Sequence, residues 1–179
     1  MATLSNTKLK ALVGKYKDFP KKGITFLDLN PVLFNSAART AILNDFIKNI
    51  KITGKTIIVA PEARGFIWGT LIAEKLGIPF IPIRKKGKLP GKVLSQSYNL
   101  EYGTDSLHIQ DFGKKLKGYK VVIVDDLLAT GGTAAACAQL VEQIGGKVSA
   151  FYFVIDITAL NGQKILKKYS NTIHATLKF

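Results

Sequence analysis

The sequence predicts an α/β fold, a mostly parallel central sheet flanked by helices, from three observations. Segments rich in valine and isoleucine, such as KTIIVAP and YKVVIVDD, are typical of buried parallel strands. Helical segments alternate with them, as right-handed crossovers between parallel strands require. Finally, the 179 residues are 47% hydrophobic and contain no repeat, low-complexity tract or long linker. We therefore expect one domain, residues 1–179, with its own hydrophobic core.

The first third of the chain is predicted to contain two helices and two strands. Apolar residues from Leu9 to Tyr16 indicate an amphipathic helix, which ends at the turn DFPKKG. GITFLDL predicts a short strand. Ser36 is expected to cap a helix that runs to Ile50, with Ala37 on its inner face. KTIIVAP then predicts a buried strand.

The remaining elements alternate, with one interruption. GFIWGTLIAEKLG predicts a helix that ends at Gly77, and IPFIPI predicts the next strand. RKKGKLPGK, which contains glycine and proline, predicts a basic loop over residues 84–92. The extended segments SYNLEYG and SLHIQ then flank a turn at residues 103–105. YKVVIVDD, a helix over residues 133–144, KVSAFYFVID and TIHATLKF complete the pattern. Because the basic loop and the extended pair interrupt it, we expect a lid or binding loop there.

Charge and composition narrow the class of partner. The formal net charge of +14 indicates an anionic partner: nucleic acid, a membrane surface or a highly phosphorylated small molecule. No apolar run of about 18 residues is present, and the N-terminal segment lacks the apolar block of a secretion signal. We therefore expect a cytoplasmic protein with no membrane partner. Cys137, the sole cysteine, lies in an alanine-rich helical segment and is expected to be buried.

The stretch VVIVDDLLATGGTAAA, residues 121–136, predicts a binding site. A strand leads into two aspartates, a loop with two glycines and two threonines, and a helix. In open α/β sheets ligands bind at the carboxyl ends of strands. Glycine amides, threonine hydroxyls and a helix N-terminus together suit a phosphate. The loop lacks the Gly-Lys-Ser/Thr ending of a P-loop, which disfavours a nucleoside triphosphatase and favours a single phosphate.

The two carboxylates, Asp125 and Asp126, further restrict which phosphate-containing ligand could bind. Two anions beside a phosphate repel it unless a ribose diol donates hydrogen bonds to them or Mg²⁺ lies between. Phosphate and diol together indicate a ribose 5-phosphate. The alternative is an ordinary βα turn in which Thr133 caps the helix and the aspartates are polar strand-end residues.

VVIVDDLLATGGTA resembles the phosphoribosyl-pyrophosphate (PRPP) signature of type I phosphoribosyltransferases, in the form carried by adenine-specific members. DFPKKGITFLDLNPVL, EARGFIWG, RKKGKLPG and LEYGTDSLHIQ follow in that family's order, so the resemblance covers almost the whole chain. It implies the type I phosphoribosyltransferase fold with a small hood and a flexible lid loop. It also implies purine salvage, in which PRPP and adenine give AMP and pyrophosphate, with Mg²⁺ held mainly by substrate, in a homodimer.

The resemblance assigns most of the binding residues. The 5-phosphate is bound by Ala129, Thr130, Gly131, Gly132 and Thr133, and the ribose diol by Asp125 and Asp126. Pyrophosphate is bound by Glu62, Ala63, Arg64, Arg84 and Lys88. The family also implies a cis peptide between Glu62 and Ala63 that directs backbone amides at pyrophosphate. Arg64 additionally follows the strand TIIVAP, where its planar guanidinium suits a forked grip on phosphate oxygens.

Other segments are assigned to adenine binding and to proton transfer. Glu101 is expected to be the catalytic residue for proton transfer, because a carboxyl group enclosed by a lid can have its pKa tuned for that role. Tyr102 is expected on the lid. Adenine is assigned to Thr25, Phe26, Leu27 and Ile157. Family members commonly carry an arginine where this chain has Leu27, so base preference is the least determined property.

Two alternative functions remain open at this point. The first is a phosphoribosyltransferase for hypoxanthine, guanine or xanthine. Such a 6-oxo base needs a donor such as lysine, and DITALNG offers none before Lys164. The second is a PRPP-sensing regulator that binds nucleic acid, which the charge of +14 favours. The short segment before DFPKKG is too small for a helix-turn-helix unit, so we expect no specific nucleic-acid partner.

Overall fold

The structure is a computed structural model, and it describes residues 4–100, 103–113 and 115–179. The chain divides into two compact units, Met1–Asn49 and Ile50–Phe179. The expectation of one domain over residues 1–179 stays a prediction. Within the described part of the chain, no helix reaches the length and apolarity that a membrane crossing requires.

The first unit contains three helices and a two-stranded antiparallel sheet within its described residues. These are α1 (Asn6–Leu12), β1 (Gly14–Lys17), β2 (Thr25–Asp28), α2 (Asn30–Phe34) and α3 (Ser36–Asn49). The predicted first helix is too long, because the chain leaves α1 at Leu12 and pairs Tyr16 with Phe26 in β1 and β2. Tyr16 is consequently 56% exposed rather than part of a buried helix face.

Helix α3 has the predicted extent, but a different residue caps it. The amide of Ala38 donates to Asn35 Oδ1 at 3.0 Å, so Asn35 caps the helix rather than Ser36. Ala38, Ala41, Ile42 and Phe46 are buried, as expected of an inward face. Ala37 is exposed, because the cap lies one residue earlier and the buried face begins at Ala38.

The second unit is built on a sheet that, among the described residues, has seven strands. Its elements are β3 (Thr56–Pro61), α4 (Arg64–Leu76), β4 (Phe80–Lys85), β5 (Val93–Leu100), β6 (Gly103–Gln110), β7 (Lys120–Leu128), α5 (Gly132–Gln143), β8 (Lys147–Asp156), a 3-10 helix (Thr158–Leu160), α6 (Gln163–Leu166) and β9 (Ile173–Lys178). The strand order is β5-β6-β4-β3-β7-β8-β9. Strands β4, β3, β7, β8 and β9 are parallel, while β5 and β6 form an antiparallel hairpin beside β4. The predicted parallel sheet is confirmed.

Burial explains why the strands carry such apolar sequences. Every residue of β3 is buried, and β8 is buried over its last seven residues. Helix α5 buries its alanines and Cys137 against the same core, which confirms the expectation for that cysteine. Helix α4 ends at Gly77, whose φ of 63° is the left-handed cap that glycine adopts without strain.

The hairpin differs from its prediction at the turn. Residues 103–105, which were expected to form the turn, instead begin β6, and Leu100 pairs with Gly103. The predicted lid residues Glu101 and Tyr102 lie outside the described residues. The basic loop is also shorter at its N-terminal end, because Arg84 and Lys85 belong to β4; its other end agrees with the prediction, since β5 starts at Val93.

Candidate active site

The candidate site lies at β3 and β7, where the order in which successive strands are added to the sheet reverses. Strand β3 pairs with β4 on one side and with β7 on the other. The connections that leave the carboxyl ends of β3 and β7 therefore separate to opposite sides and leave a crevice. The residues after β3 and those at the end of β7 are the segments in which the sequence predicted pyrophosphate and ribose phosphate contacts.

Asp125 and Asp126 lie within the last part of β7, next to the start of α4. The amide of Asp126 donates to Asp125 Oδ1 at 2.8 Å. Gly65 allows this approach, because a Cβ at that position would lie 2.9 Å from Asp125 Oδ1 and 3.1 Å from the carbonyl oxygen of Val124. Gly65 thus belongs to the site through its lack of a side chain, a role that we did not predict.

The environment of Asp125 favours its protonated form. Burial raises the pKa of the Asp125 carboxyl well above its usual value, and the neighbouring Asp126 raises it further. Arg64 acts in the opposite direction without cancelling the effect. A protonated carboxyl has one donor as well as acceptor lone pairs. Asp125 is therefore suited to a diol, which also both donates and accepts hydrogen bonds.

Arg64 begins α4 and joins the two sides of the crevice. Its Nε donates to Asp126 Oδ2 in an ion pair. The Asp126 side chain is 10% exposed, whereas that of Arg64 is 52% exposed. This pair forms because α4, which Arg64 begins, packs against β7. The exposed guanidinium still lies at the crevice.

Glu62 has Arg84 as its partner. Its Oε2 accepts from Arg84 Nε at 2.9 Å and from the amide of Lys85 at 3.0 Å. The Lys85 amide is the larger cause, and Arg84 the next, of a lowered pKa for Glu62. The side chain of Glu62 therefore holds the end of β4 in place. Lys88 is exposed and lies near enough for its charge to contribute to the same lowered pKa.

The peptide between Glu62 and Ala63 is cis, as the resemblance implied. Glu62 and Ala63 connect β3 to α4, so this peptide lies between the carboxyl end of β3 and Arg64. The direction of its amides toward pyrophosphate stays a prediction.

The phosphate loop, residues 129–133, leads from β7 into α5. Gly131 is the N-cap, with φ 86° in the left-handed region, and makes no side-chain cap hydrogen bond. The alternative in which Thr133 caps the helix is therefore wrong. Amides in the first turn of a helix have no intrahelical acceptor. The first turn of α5 and its positive dipole end are suited to bind an anion.

A second segment lies against this loop and was missed by the sequence analysis. A Cβ on Gly131 would come 2.5 Å from Ile165 Cγ2 and 2.6 Å from the carbonyl oxygen of Gly162. A Cβ on Gly162 would in turn clash with the carbonyl oxygen of Ala129. The connection from β8 to α6 thus packs its backbone directly against the backbone of the phosphate loop. The dipeptide Asn161-Gly162 signalled a turn, but nothing local indicated where that turn packs.

Strand β5 of the hairpin packs against α5, the helix that follows the loop. The Tyr98 hydroxyl, on β5, donates to Asp105 Oδ2 on β6 at 3.4 Å. Burial is the main cause of a raised pKa of Tyr98, and the charge of Asp105 adds to it. The sequence analysis did not select Tyr98.

The predicted adenine residues lie in both units. In the first unit, Thr25 is exposed in β2, while Phe26 and Leu27 are half-buried; the Phe26 ring meets Phe19 edge-on at 5.3 Å between centroids. In the second unit, the amide of Ile157 donates to the carbonyl of Leu128 at 2.9 Å, which places it directly beside the end of β7. Their joint contact with a base stays a prediction.

Residues suited to hold a metal were searched for in the described ranges. There, no group of three or more His, Cys, Asp and Glu side chains is arranged around a common point. Mg²⁺ binds protein through one or two carboxylates when substrate phosphates supply other ligands. Because its surroundings favour the protonated form of Asp125, the pair Asp125 and Asp126 offers Mg²⁺ at most one carboxylate, so most ligands would come from substrate.

Comparison with known proteins agrees with this geometry. Residues 33–173 match the phosphoribosyl transferase domain. Adenine phosphoribosyltransferase from Thermoanaerobacter sp. (strain X514) is 46% identical over 172 residues, which cover 96% of this chain and 98% of that protein.

Two solved structures extend the comparison. The crystal structure of adenine phosphoribosyltransferase from Thermoanaerobacter pseudethanolicus has a TM-score of 0.90 and 46% identity, and covers 98% of this chain and 100% of that chain. The Saccharomyces cerevisiae enzyme, complexed with an imino-altritol bisphosphate and adenine, has a TM-score of 0.85 and 35% identity, with coverage of 96% and 98%. The fold and the crevice are therefore those of a type I phosphoribosyltransferase. The chain belongs, within that class, to the adenine phosphoribosyltransferase family.

Proposed function

We propose that this protein transfers the 5-phosphoribosyl group from PRPP to adenine, giving AMP and pyrophosphate in purine salvage. The main support is the crevice between β3 and β7, where a carboxylate pair, a phosphate loop and an arginine pair meet at one edge of the sheet. Family membership adds to it, since the similar proteins carry the name adenine phosphoribosyltransferase and the yeast structure contains adenine.

The ribose 5-phosphate half of PRPP is proposed to bind at the end of β7. Its phosphate accepts hydrogen bonds from the amides and hydroxyls of residues 129–133, at the positive end of α5. Its diol contacts Asp125 and Asp126. The protonated form that burial favours in Asp125 reduces the repulsion between the carboxyls and the phosphates of PRPP.

The leaving pyrophosphate is proposed to bind on the β3 side. Positive charge develops on the ribose ring as pyrophosphate departs, so groups that stabilise the leaving anion lower the barrier. Arg64 and Arg84 supply guanidinium groups, Lys88 an ammonium, and the peptide of Glu62 and Ala63 its backbone. Glu62 contributes through Arg84, because the 2.9 Å hydrogen bond between them fixes the arginine's direction.

Mg²⁺ is the proposed cofactor. When bound, it neutralises charge on pyrophosphate and ribose oxygens and so helps pyrophosphate to leave. The chain itself supplies at most one carboxylate of the Asp125 and Asp126 pair, so most ligands come from substrate. Binding of PRPP to the protein should consequently depend on the PRPP–Mg²⁺ complex more than on a resident metal.

Thr25, Phe26, Leu27 and Ile157 are the residues proposed to bind adenine. Backbone groups around Thr25 to Leu27 are assigned to the base amine, with Phe26 and Ile157 on the ring faces. Glu101 is proposed as the catalytic residue that exchanges a proton with the base, and Tyr102 as part of the lid that closes over it. A lid excludes water and brings the base within attack distance of the ribose.

The remaining properties follow from the family and the charge. We propose a cytoplasmic homodimer, with no membrane partner and no specific nucleic-acid partner. The net charge of +14 then serves to attract PRPP, a small molecule with several negative charges. The 6-oxopurine alternative is disfavoured because the similar proteins and the two solved structures are all adenine enzymes.

The deciding experiment is an assay of the purified protein with PRPP, Mg²⁺ and one of four bases: adenine, hypoxanthine, guanine or xanthine. We expect AMP from adenine and negligible product from the other three. Turnover of a 6-oxo base in place of adenine would overturn the base assignment while keeping the PRPP site. Absence of turnover with every base, together with salt-sensitive binding to random-sequence DNA, would favour the regulator instead.

A further inference from the structure

A buried carboxyl group that has no assigned role lies at the end of β8. Asp156 is 1% exposed and pairs in the sheet with Leu128, the last residue of β7. Its Oδ2 accepts a hydrogen bond from Gln163 Nε2 at 2.6 Å. Its Oδ1 is buried and accepts no hydrogen bond from any described residue. Because a buried polar group with so few partners costs free energy, stability alone does not account for this carboxyl.

The hydrogen bond between Asp156 and Gln163 joins the two ends of the connection from β8 to α6. Asp156 ends β8, and Gln163 begins α6. At the first end, the amide of Ile157 donates to the carbonyl of Leu128 at 2.9 Å, which also ties the connection to β7. Gly162 lies directly before the second end. The position of Gly162 therefore depends on the bond that Gln163 makes.

Gly162 is the point at which this connection meets the phosphate loop. A Cβ on Gly162 would lie 3.0 Å from the amide nitrogen of Gly131 and would clash with the carbonyl oxygen of Ala129. Contact this close leaves the loop no room to move toward the connection. Gly131, the N-cap of α5, makes no side-chain cap hydrogen bond that would fix it from within the loop. If Gly162 moved away, the loop would lose the backbone that limits its conformation.

The connection is not enclosed by packed neighbours on every side. It borders a cavity of about 440 Å³, which is lined by Asp156, Thr158, Asn161, Gln163, Lys164 and Lys167. This lining contains no residue of the phosphate loop, so the cavity lies on a different side of the connection. Leu166 buries the far end of α6 in the core. The hydrogen bond of Gln163 to Asp156 is therefore the contact that fixes the start of the helix, and Gly162 with it.

We propose that Asp156 and Gln163 are positioning residues for PRPP, because their hydrogen bond holds Gly162 against the phosphate loop and so fixes the loop in its anion-binding conformation. This deepens the proposed function and rests on it, since a phosphate at residues 129–133 is part of that function. Neither side chain belongs to the residues assigned to PRPP or adenine. The bond should therefore affect the affinity for the 5-phosphate and leave the pyrophosphate side unchanged.

The test is the variant Gln163→Leu, which removes the donor and keeps a side chain of similar size. Its affinity for ribose 5-phosphate, measured by calorimetric titration, should fall about tenfold, the effect of one well-made hydrogen bond. KM for PRPP should rise by the same factor, while kcat and KM for adenine change less than about twofold. The affinity for inorganic pyrophosphate with Mg²⁺ should stay at the wild-type value, which also shows that the variant is folded.

Lys164→Leu is the matched control. Lys164 is the next residue of α6, and it is exposed. The substitution puts the same side chain beside Gln163 but keeps the hydrogen bond of Gln163 to Asp156. The affinity of this variant for ribose 5-phosphate should stay within about twofold of the wild-type value, as is usual for exposed substitutions.

A double-mutant cycle distinguishes positioning from a general loss of stability. In an Asp156→Leu background, Gln163→Leu should have no further effect on the affinity for ribose 5-phosphate, because the acceptor is gone. An Asp156→Asn background keeps an acceptor of the same shape and guards against misfolding of the leucine variant. There the effect of Gln163→Leu should persist at about threefold or more, since a neutral acceptor makes a weaker hydrogen bond than a charged one. Melting temperatures are measured beside the affinities for each variant.

The outcomes separate the two levels of the proposal. Wild-type protein that forms no nucleotide from PRPP overturns the proposed function. Active wild-type protein with an unchanged affinity for ribose 5-phosphate in Gln163→Leu overturns the positioning role alone. Equal losses of affinity for ribose 5-phosphate and for pyrophosphate also overturn that role, because the whole crevice would then be disturbed. So does an equal effect of Gln163→Leu in the leucine and asparagine backgrounds, because the effect would then be independent of the acceptor on residue 156.

Discussion

Two carboxyl groups at the same end of the sheet, Asp125 and Glu62, have pKa values that their surroundings shift in opposite directions. Burial and the charge of Asp126 raise the pKa of Asp125. The amide of Lys85 and the guanidinium of Arg84 lower the pKa of Glu62. The surroundings of one carboxyl in the crevice thus favour its protonated form, and those of the other favour its ionised form. Environments that push two pKa values apart indicate different roles for the two groups.

The difference follows from what each carboxyl touches. Asp125 is enclosed by the start of α4, where Gly65 allows close contact, and has another carboxyl as its neighbour. Glu62 accepts hydrogen bonds from Arg84 and from the amide of Lys85, and its side chain is partly exposed to solvent. We infer that the β7 side is built for the neutral diol of ribose and that the β3 side holds cations for the pyrophosphate.

Removing both carboxyls on the β7 side should have the largest effect. Asp125→Asn with Asp126→Asn should weaken PRPP binding about 100-fold, since a hydrogen bond of a neutral carboxyl contributes about 1 kcal/mol and one to a charged carboxylate about 1.5–3 kcal/mol. Calorimetric titration with PRPP and Mg²⁺ measures it. The double variant Asp125→Glu with Asp126→Glu keeps both carboxyl groups but moves them by one methylene, so it tests whether their positions matter as well as their presence. Wild-type affinity in the Asn double variant would refute the diol assignment.

Removing a positively charged side chain on the β3 side should have the next largest effect. Arg84→Gln removes a guanidinium from the leaving group and leaves Glu62 without its 2.9 Å partner. We expect kcat/KM for PRPP to fall about 30-fold, from the loss of one charge-assisted interaction. Lys86→Gln removes a charge two residues away, from an exposed position, and should change kcat/KM less than about twofold. Equal losses in the two variants would show that only overall charge matters.

The protonation state of Asp125 is tested by stability against pH. A raised folded pKa means that the native protein binds a proton more tightly than the unfolded chain, whose Asp titrates near 3.8. Stability from this group is therefore present below that pH and is lost as pH rises through the folded pKa. Relative to wild type, Asp125→Asn should gain several degrees in melting temperature as pH rises, and should gain nothing at the acid end.

The same measurement on Glu62 should give a smaller effect of opposite sign. Its lowered folded pKa means that its stabilisation is present above the unfolded value near 4.5 and is lost as pH falls through the folded pKa. Wild type should exceed Glu62→Gln by about 1–3 °C at neutral pH, allowing for partial screening by solvent. The difference should vanish in acid. A difference that grows on acidification would contradict the lowered pKa.

How far each half of the site could be predicted depends on how local its determinants are. The β7 half was predicted because Asp125 to Thr133 is one continuous strand, loop and helix start, and each residue type there has a local chemical reason. The β3 half was only partly predicted. Arg64 and Arg84 were selected, but not their partners: Arg64 pairs with Asp126 in β7, and Arg84 pairs with Glu62, which follows β3. Ion pairs across a sheet depend on strand order, which periodicity does not report.

The sequence by itself determined the α/β class, the strands and the two long helices of the second unit, and the phosphate loop, because apolar periodicity and glycine conformation act over a few residues. The tertiary structure alone decided which groups meet: Arg64 with Asp126, Gly162 against the backbone of the phosphate loop, and Arg84 with Glu62. It also decided the opposed pKa directions of Asp125 and Glu62. Burial and charge proximity are properties of positions in space, and residues far apart in the chain create them only when the sheet forms.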